Sequence, residues 1–282
     1  MKLATVLLNG APKVTAAKGD ETPRVLAPFA SMLDVLKADR ITFEMAYNEG
    51  KPLPQLGWRY LAPIPRPGKV IAIGLNYMDH CREQNTLPPE KPLIFAKLNS
   101  SVIGPGDVIE WDPSITNSVD YEAELAVVIG KEARLVTPEN ALSYVYGYTA
   151  ANDVTARDLQ KSDGQWTRAK GMDTFCPMGP VIVTADEIPD PQALAIRCTV
   201  NGEVRQDSST AEMIFDVKTL ISYVSRAFTL FPGDVILTGT PAGVGVWRKP
   251  PAVLRDRATV VVEVEKIGRL ENVCRELTFR LR

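Results

Sequence analysis

The chain has 282 residues, 45% of them hydrophobic and 23% charged, with a formal net charge of −2. That length and composition suit one large globular domain, or a domain with a small appendage, and supply enough apolar side chain for a substantial core. No basic cluster is present to offset phosphate charge, which argues against nucleic acid as a partner, and no apolar run approaches the ~18 residues of a membrane span.

In chain order, residues 1–66 read as a small N-terminal αβ domain, with a strand over Leu3–Leu8 and apolar residues at helical spacing across Val25–Ala38. The proline-rich stretch Pro63-Ile64-Pro65-Arg66-Pro67-Gly68 cannot be helix or central strand and marks a boundary. Beyond it, residues 67–282 carry short strand-like runs at Val70–Ile73, Leu93–Ala96, Leu125–Ile129, Val181–Thr184, Ala195–Val200 and Val260–Val264. Helical patterns are fewer, around Pro138–Tyr144 and over Asp216–Phe228, where Val217, Leu220, Ile221 and Val224 form one stripe. Asn201-Gly202 between two alternating runs signals a hairpin. Many strands without strict βα alternation predict an α+β fold that is mainly β, since a doubly wound sheet needs more helix.

The cysteines Cys81, Cys176, Cys198 and Cys274 are widely spaced and form no C-x-x-C pair, so zinc-ribbon and thioredoxin-like sites are excluded. Reduced thiols in the cytoplasm, or in the mitochondrial matrix, are expected. The opening MKLATVLLNG has too short an apolar stretch for a signal peptide and reads as a first strand. His80 is the single histidine, which rules out H-E-x-x-H and other histidine-rich centres. A catalytic metal must therefore sit on oxygen or sulfur, and any imidazole acid–base step must use His80.

In Val119-Asp120-Tyr121-Glu122-Ala123-Glu124-Leu125, a strand puts Glu122 and Glu124 on one face, about 7 Å apart, with Asp120 on that face if the strand extends so far. Their mutual repulsion, roughly 2 kcal/mol at an effective dielectric of about 20, is either relieved by solvent at an exposed edge or cancelled by a bound cation. Asp153 ends a weakly polar run and is open to two readings, a third ligand or a helix cap. Three carboxylates without His or Cys favour Mg²⁺, Mn²⁺ or Ca²⁺. His80 and Glu83 stand three apart on a short helix, as a surface contact or as an oriented base. The glycine-rich Phe231–Gly245 segment offers backbone N–H groups to an anion but matches neither G-x-G-x-x-G nor a Walker motif.

The segments GLNYMDHCREQ, DYEAELAVVIG, NDVTARDLQ, QWTRAKGMDTFCPMGP, VNGEVRQ and FPGDVILTGTPAGVG occur in this order over about three-quarters of the chain. Together they resemble the fumarylacetoacetate hydrolase superfamily, with DHCREQN and GVGVWRKPP closest to its domain-containing branch. The resemblance implies a mixed β-roll, a homodimer, and a metal on Glu122, Glu124 and Asp153, with Mg²⁺ or Mn²⁺ preferred. It further implies catalytic roles for His80, Glu83 and Lys170, and substrate contacts at Gln160, Arg157, Thr240 and Gly239. Leu75 stands where acylpyruvase-type members often carry Arg, so one cationic substrate contact is missing. The chemistry implied is enolate formation on a small 2-oxo or 2,4-dioxo acid, foremost C–C hydrolysis of an acylpyruvate or fumarylpyruvate type of substrate. Oxaloacetate tautomerisation or decarboxylation and hydroxymuconate isomerisation are the alternatives, and a non-catalytic acid-binding β-roll is the alternative class.

Overall fold

The computed structural model describes residues 1–277, and its strands form two large sheets packed on each other, the mainly β α+β class expected. The larger sheet runs Lys51–Pro52, Arg24–Val25, Ala11–Ala17, Lys2–Leu8, Cys176–Thr184, Val145–Asn152, Ala123–Ile129, Val235–Leu237, Val70–Gly74, Leu93–Lys97. The smaller runs Glu203–Ser209, Ala195–Val200, Thr259–Val264, Gly268–Glu276, Val108–Trp111.

The Ala123–Ile129 strand is buried throughout. Leu125, Val127 and Ile129 join a core shared with Ile196, Cys198, Val260 and Val262 of the smaller sheet. Ala126 and Val128 point the other way, into a second core with Leu26, Val35, Leu36 and Tyr47. Two buried faces are why LAVVI is apolar without alternation.

Lys2–Leu8 pairs with Cys176–Thr184, Leu3 lying opposite Ile182, and both cores draw on residues from either side of the Pro63–Gly68 stretch. Sheet and core thus run across the expected division at residue 66. The helical pattern over Val25–Ala38 is realised only as Met32–Lys37. Val25 is taken into a strand, and Pro28, which has no N–H to give, delays the start until Ser31 and Asp34 form a capping box. A second helix, Arg40–Glu49, follows on an Asp39 cap and lacked a clear apolar stripe in the sequence. The Val217–Ala227 helix buries the stripe expected of it. Asn201 and Gly202 take φ of +52° and +79°, as a two-residue hairpin turn requires. Among the described residues no helix is long and apolar enough to cross a membrane.

Candidate active site

Strand register creates the centre of the site. Ala123 lies opposite Asn152 and Glu124 opposite Ala151. One step on, the antiparallel register sets Glu122 across from Asp153, whose N–H donates to the Glu122 carbonyl at 2.9 Å. The Asn152 side chain accepts the Glu122 N–H at 3.0 Å and fixes the chain just ahead of the strand. Glu122, Glu124 and Asp153 therefore share one face, with ligand oxygens all within 4.8 Å of one another and all three residues buried. Neither a solvated edge nor a helix cap describes them. Asp120 turns away: its carboxylate accepts from the N–H groups of Gly245 and Val246 at 2.7 and 3.0 Å.

Three cations surround the carboxylates. Lys170, buried on the Trp166–Gly171 helix, donates from Nζ to Glu122 at 2.8 Å, Asp153 at 2.7 Å and Thr155 Oγ1 at 2.8 Å. Lys97, at the end of its strand, donates to Asp153 and to the Lys170 carbonyl. Arg157 pairs with Asp120 at 2.8 Å and Glu122 at 2.7 Å. Four buried carboxylates, counting Asp120, thus face three cations, and the imbalance falls on Glu124. Its hydrogen-bond partner is a backbone group, Gly239 N–H at 2.7 Å.

The electrostatics follow. Burial alone raises the Glu122 carboxyl, but Lys170 and Arg157 outweigh it and bring the pKa down to about 2. For Glu124, burial and the charges of Asp153 and Glu122 act together and push the carboxyl well above the ordinary carboxylate range. Lys170 is raised: burial opposes its charge, and Asp153 and Glu122 more than restore it.

A divalent cation fits this donor set. The oxygens are hard, their separations need little closing to meet the ~3–4 Å between ligands of a Mg²⁺-sized ion, and the carboxyl with no cationic partner is one of the three. The ion's identity is left open among the oxygen-loving metals.

A cavity of about 500 Å³ opens onto the centre. Glu122, Arg157, Gln160, Lys161, Lys170 and Thr240 give it polar walls, and Ile73, Leu75, Phe95, Trp166 and Trp247 apolar ones. Gly74 is required there: a Cβ would meet the Trp166 ring at 2.6 Å. Gln160, expected at the substrate, accepts from Arg157 at 3.0 Å, and Thr240 accepts from Gln206 at 2.8 Å. Gly239, also expected there, has its N–H committed to Glu124. His80 reaches the rim on the Met78–Glu83 helix, its Nδ1 2.8 Å from Glu83. The other Glu83 oxygen accepts the Gly243 N–H at 2.9 Å, so the glycine-rich segment serves the enzyme's own carboxylates.

Sequence reasoning missed Lys97, Gln84, Gln206 and Trp166. A lone lysine or glutamine carries no local signal. The i,i+4 spacing of Trp166 and Lys170, which puts both on one helix face, was the one available clue.

The profile for the fumarylacetoacetate (FAA) hydrolase C-terminal region matches residues 69–275. The chain belongs to the fumarylacetoacetate hydrolase family. It is 49% identical over 221 residues to the mitochondrial oxaloacetate tautomerase Fahd2a of Rattus norvegicus, spanning 78% of this chain and 70% of the relative. The human mitochondrial oxaloacetate tautomerase FAHD2A is 48% identical over 222 residues, with the same shares. Among solved structures of the family, fumarylacetoacetate hydrolase from the psychrophile Exiguobacterium antarcticum aligns at TM-score 0.88 and 41% identity, over 98% of this chain and 100% of its own. A 5-carboxymethyl-2-hydroxymuconate delta-isomerase from Mycobacterium smegmatis aligns at TM-score 0.81 and 38% identity, over 99% and 100%. These names cover three reactions, so membership in the fumarylacetoacetate hydrolase family fixes the fold without fixing the bond that changes.

Proposed function

We propose that this chain is a divalent-cation-dependent enzyme that interconverts the enol and keto forms of a small 2-oxo acid, with oxaloacetate the leading candidate. The observation that carries the reading is the Lys170 ammonium, which lines the cavity while bonded to Glu122 and Asp153. A proton donor is thereby fixed beside the carboxylates at which a 2-oxo acid would be held. The names of the rat and human relatives support the choice of substrate.

Glu122, Glu124 and Asp153 would hold Mg²⁺ or Mn²⁺, whose positive charge would polarise a 2-oxo group and favour its enolate. The chain's own residues do the rest. Gln160, Lys161 and Thr240 line the polar wall and orient the acid. Lys170 delivers a proton from Nζ to the substrate's C3, the enol O–H proton passes to water in the cavity, and a proton from water restores the ammonium. Enolisation runs the same steps in reverse. Phe95 and Trp166, in edge contact at 5.4 Å, shield that side from water. Four free, buried cysteines suit the cytoplasm or the mitochondrial matrix.

A second reading, C–C hydrolysis of an acylpyruvate, is favoured by the His80–Glu83 pair, which has the form of an oriented base for water. Purified protein with Mg²⁺ should remove the enol absorbance of oxaloacetate rapidly, stop doing so in EDTA, and cleave acylpyruvates far more slowly. Faster acylpyruvate cleavage than enol loss would favour the hydrolase. A cation-dependent thermal shift with neither activity would return the acid-binding class.

A further inference from the structure

The His80 imidazole is held at both nitrogens. Nδ1 lies 2.8 Å from Glu83 Oε2, and Nε2 lies 2.6 Å from the Gln84 side-chain amide nitrogen. Both Glu83 oxygens are used, one by His80 and the other by the Gly243 N–H. A carboxylate only accepts and an amide nitrogen only donates, so the two contacts together fit the tautomer with hydrogen on Nδ1 and the lone pair on Nε2. That lone pair is where the Gln84 N–H donates. Gln84 follows directly on the Met78–Glu83 helix and faces the same cavity as His80.

Hydrolysis of an acylpyruvate needs that lone pair. A water O–H proton must pass to Nε2 while the hydroxyl adds to the distal carbonyl carbon. The electron pair of the C–C bond then leaves as the pyruvate enolate. The proton on Nε2 returns to its carbon, giving pyruvate and a carboxylic acid. Enol–keto conversion consumes no water and leaves Nε2 out, since its proton travels through Lys170.

We propose that Gln84 is a positioning residue that decides the reaction: by occupying His80 Nε2 it withholds the base from water and biases the site toward enol–keto conversion over C–C hydrolysis. The inference rests on the enol–keto reading above, with Lys170 as proton carrier. Its geometric half stands independently, because the hydrogen bonds exist whatever the substrate.

Since His80 is the only histidine, ¹⁵N-histidine labelling of the full chain with Mg²⁺ gives one imidazole to observe. Wild type should show the neutral tautomer protonated at Nδ1, with an Nε2 resonance shifted by hydrogen bonding. Gln84→Leu and Gln84→Ala should each move the Nε2 resonance toward that of a free acceptor. In the same variants the ratio of acylpyruvate hydrolysis to oxaloacetate ketonisation should rise about 10- to 100-fold, up to the lower limit of what a positioned general base contributes. A proton on Nε2 in wild type, an Nε2 resonance indifferent to either substitution, or an unchanged ratio in a folded variant overturns the proposal. Failure of the enol–keto reading is distinguishable, because wild type would then lack ketonisation while the imidazole spectrum still reported on Gln84.

Discussion

The floor and the rim of the cavity handle ionisable groups in opposite ways. On the floor, Lys97, Lys170 and Arg157 are packed against carboxylates, and each charge is held by several partners. At the rim, an imidazole is bonded on both sides and carried on a helix of six residues. Only the floor gathers three buried carboxylates whose oxygens lie within 4.8 Å of one another, so the floor is where a metal would fit. The contrast separates two proposed proton-handling devices that share one cavity, and substitutions on each test them separately.

The largest effect should come from the floor. Lys170→Met should cut ketonisation by about 10²- to 10⁴-fold, measured as enol decay with saturating Mg²⁺. It should also destabilise the cation-free protein by about 3–5 kcal/mol in thermal melts, because Glu122 and Asp153 lose a buried partner. Equal activity in the variant would transfer the proton step to another group.

Next is Glu124→Gln, which should abolish the stabilisation of wild type by Mg²⁺ or Mn²⁺ in thermal shift. The pH dependence in EDTA sharpens this. Glu124 is raised in the folded chain, so the stability it contributes is complete below the ordinary value near 4.5 and is lost as pH rises beyond it. Glu122 is lowered to about 2, so its contribution is present above 4.5 and is lost as pH falls toward 2. Glu124→Gln should therefore flatten the melting curve above pH 4.5, leave the acid limb in place, and melt higher than wild type at pH 7 without cation. A retained alkaline slope would mean that another group causes it.

At the rim, His80→Ala should lower ketonisation by less than the ~10²-fold that loss of a general base costs, while eliminating any residual acylpyruvate cleavage. A loss of ketonisation as large as that of Lys170→Met would erase the distinction between the two devices. The smallest effect is expected from Gly74→Ala. Its new methyl would meet the Trp166 ring at 2.6 Å, so Trp166 should be displaced, at roughly 1–3 kcal/mol of stability. KM should rise more than kcat falls.

Much of this arrangement was legible in the chain itself. The period-two spacing of Glu122 and Glu124 gave their common face, and the single histidine excluded histidine-rich metal centres. Asp153 could not be placed by spacing, because what brings it to the site is the pairing of Val145–Asn152 with Ala123–Ile129, and register is a property of two strands. Lys97 was invisible for the same reason, since it meets Asp153 from a strand 56 residues earlier. The loss of the first helix between Val25 and Ser31 turned on Pro28 and on strand pairing that the apolar pattern did not reveal.

The most direct test follows hydrogen exchange at C3 of pyruvate in D₂O by proton NMR, which reports proton transfer at carbon without any bond to cleave. With Mg²⁺ bound, wild type and His80→Ala should both exchange the methyl protons, and Lys170→Met should not. Exchange by Lys170→Met at the wild-type rate, or its disappearance in His80→Ala, would contradict the assignment of the proton to the floor of the cavity.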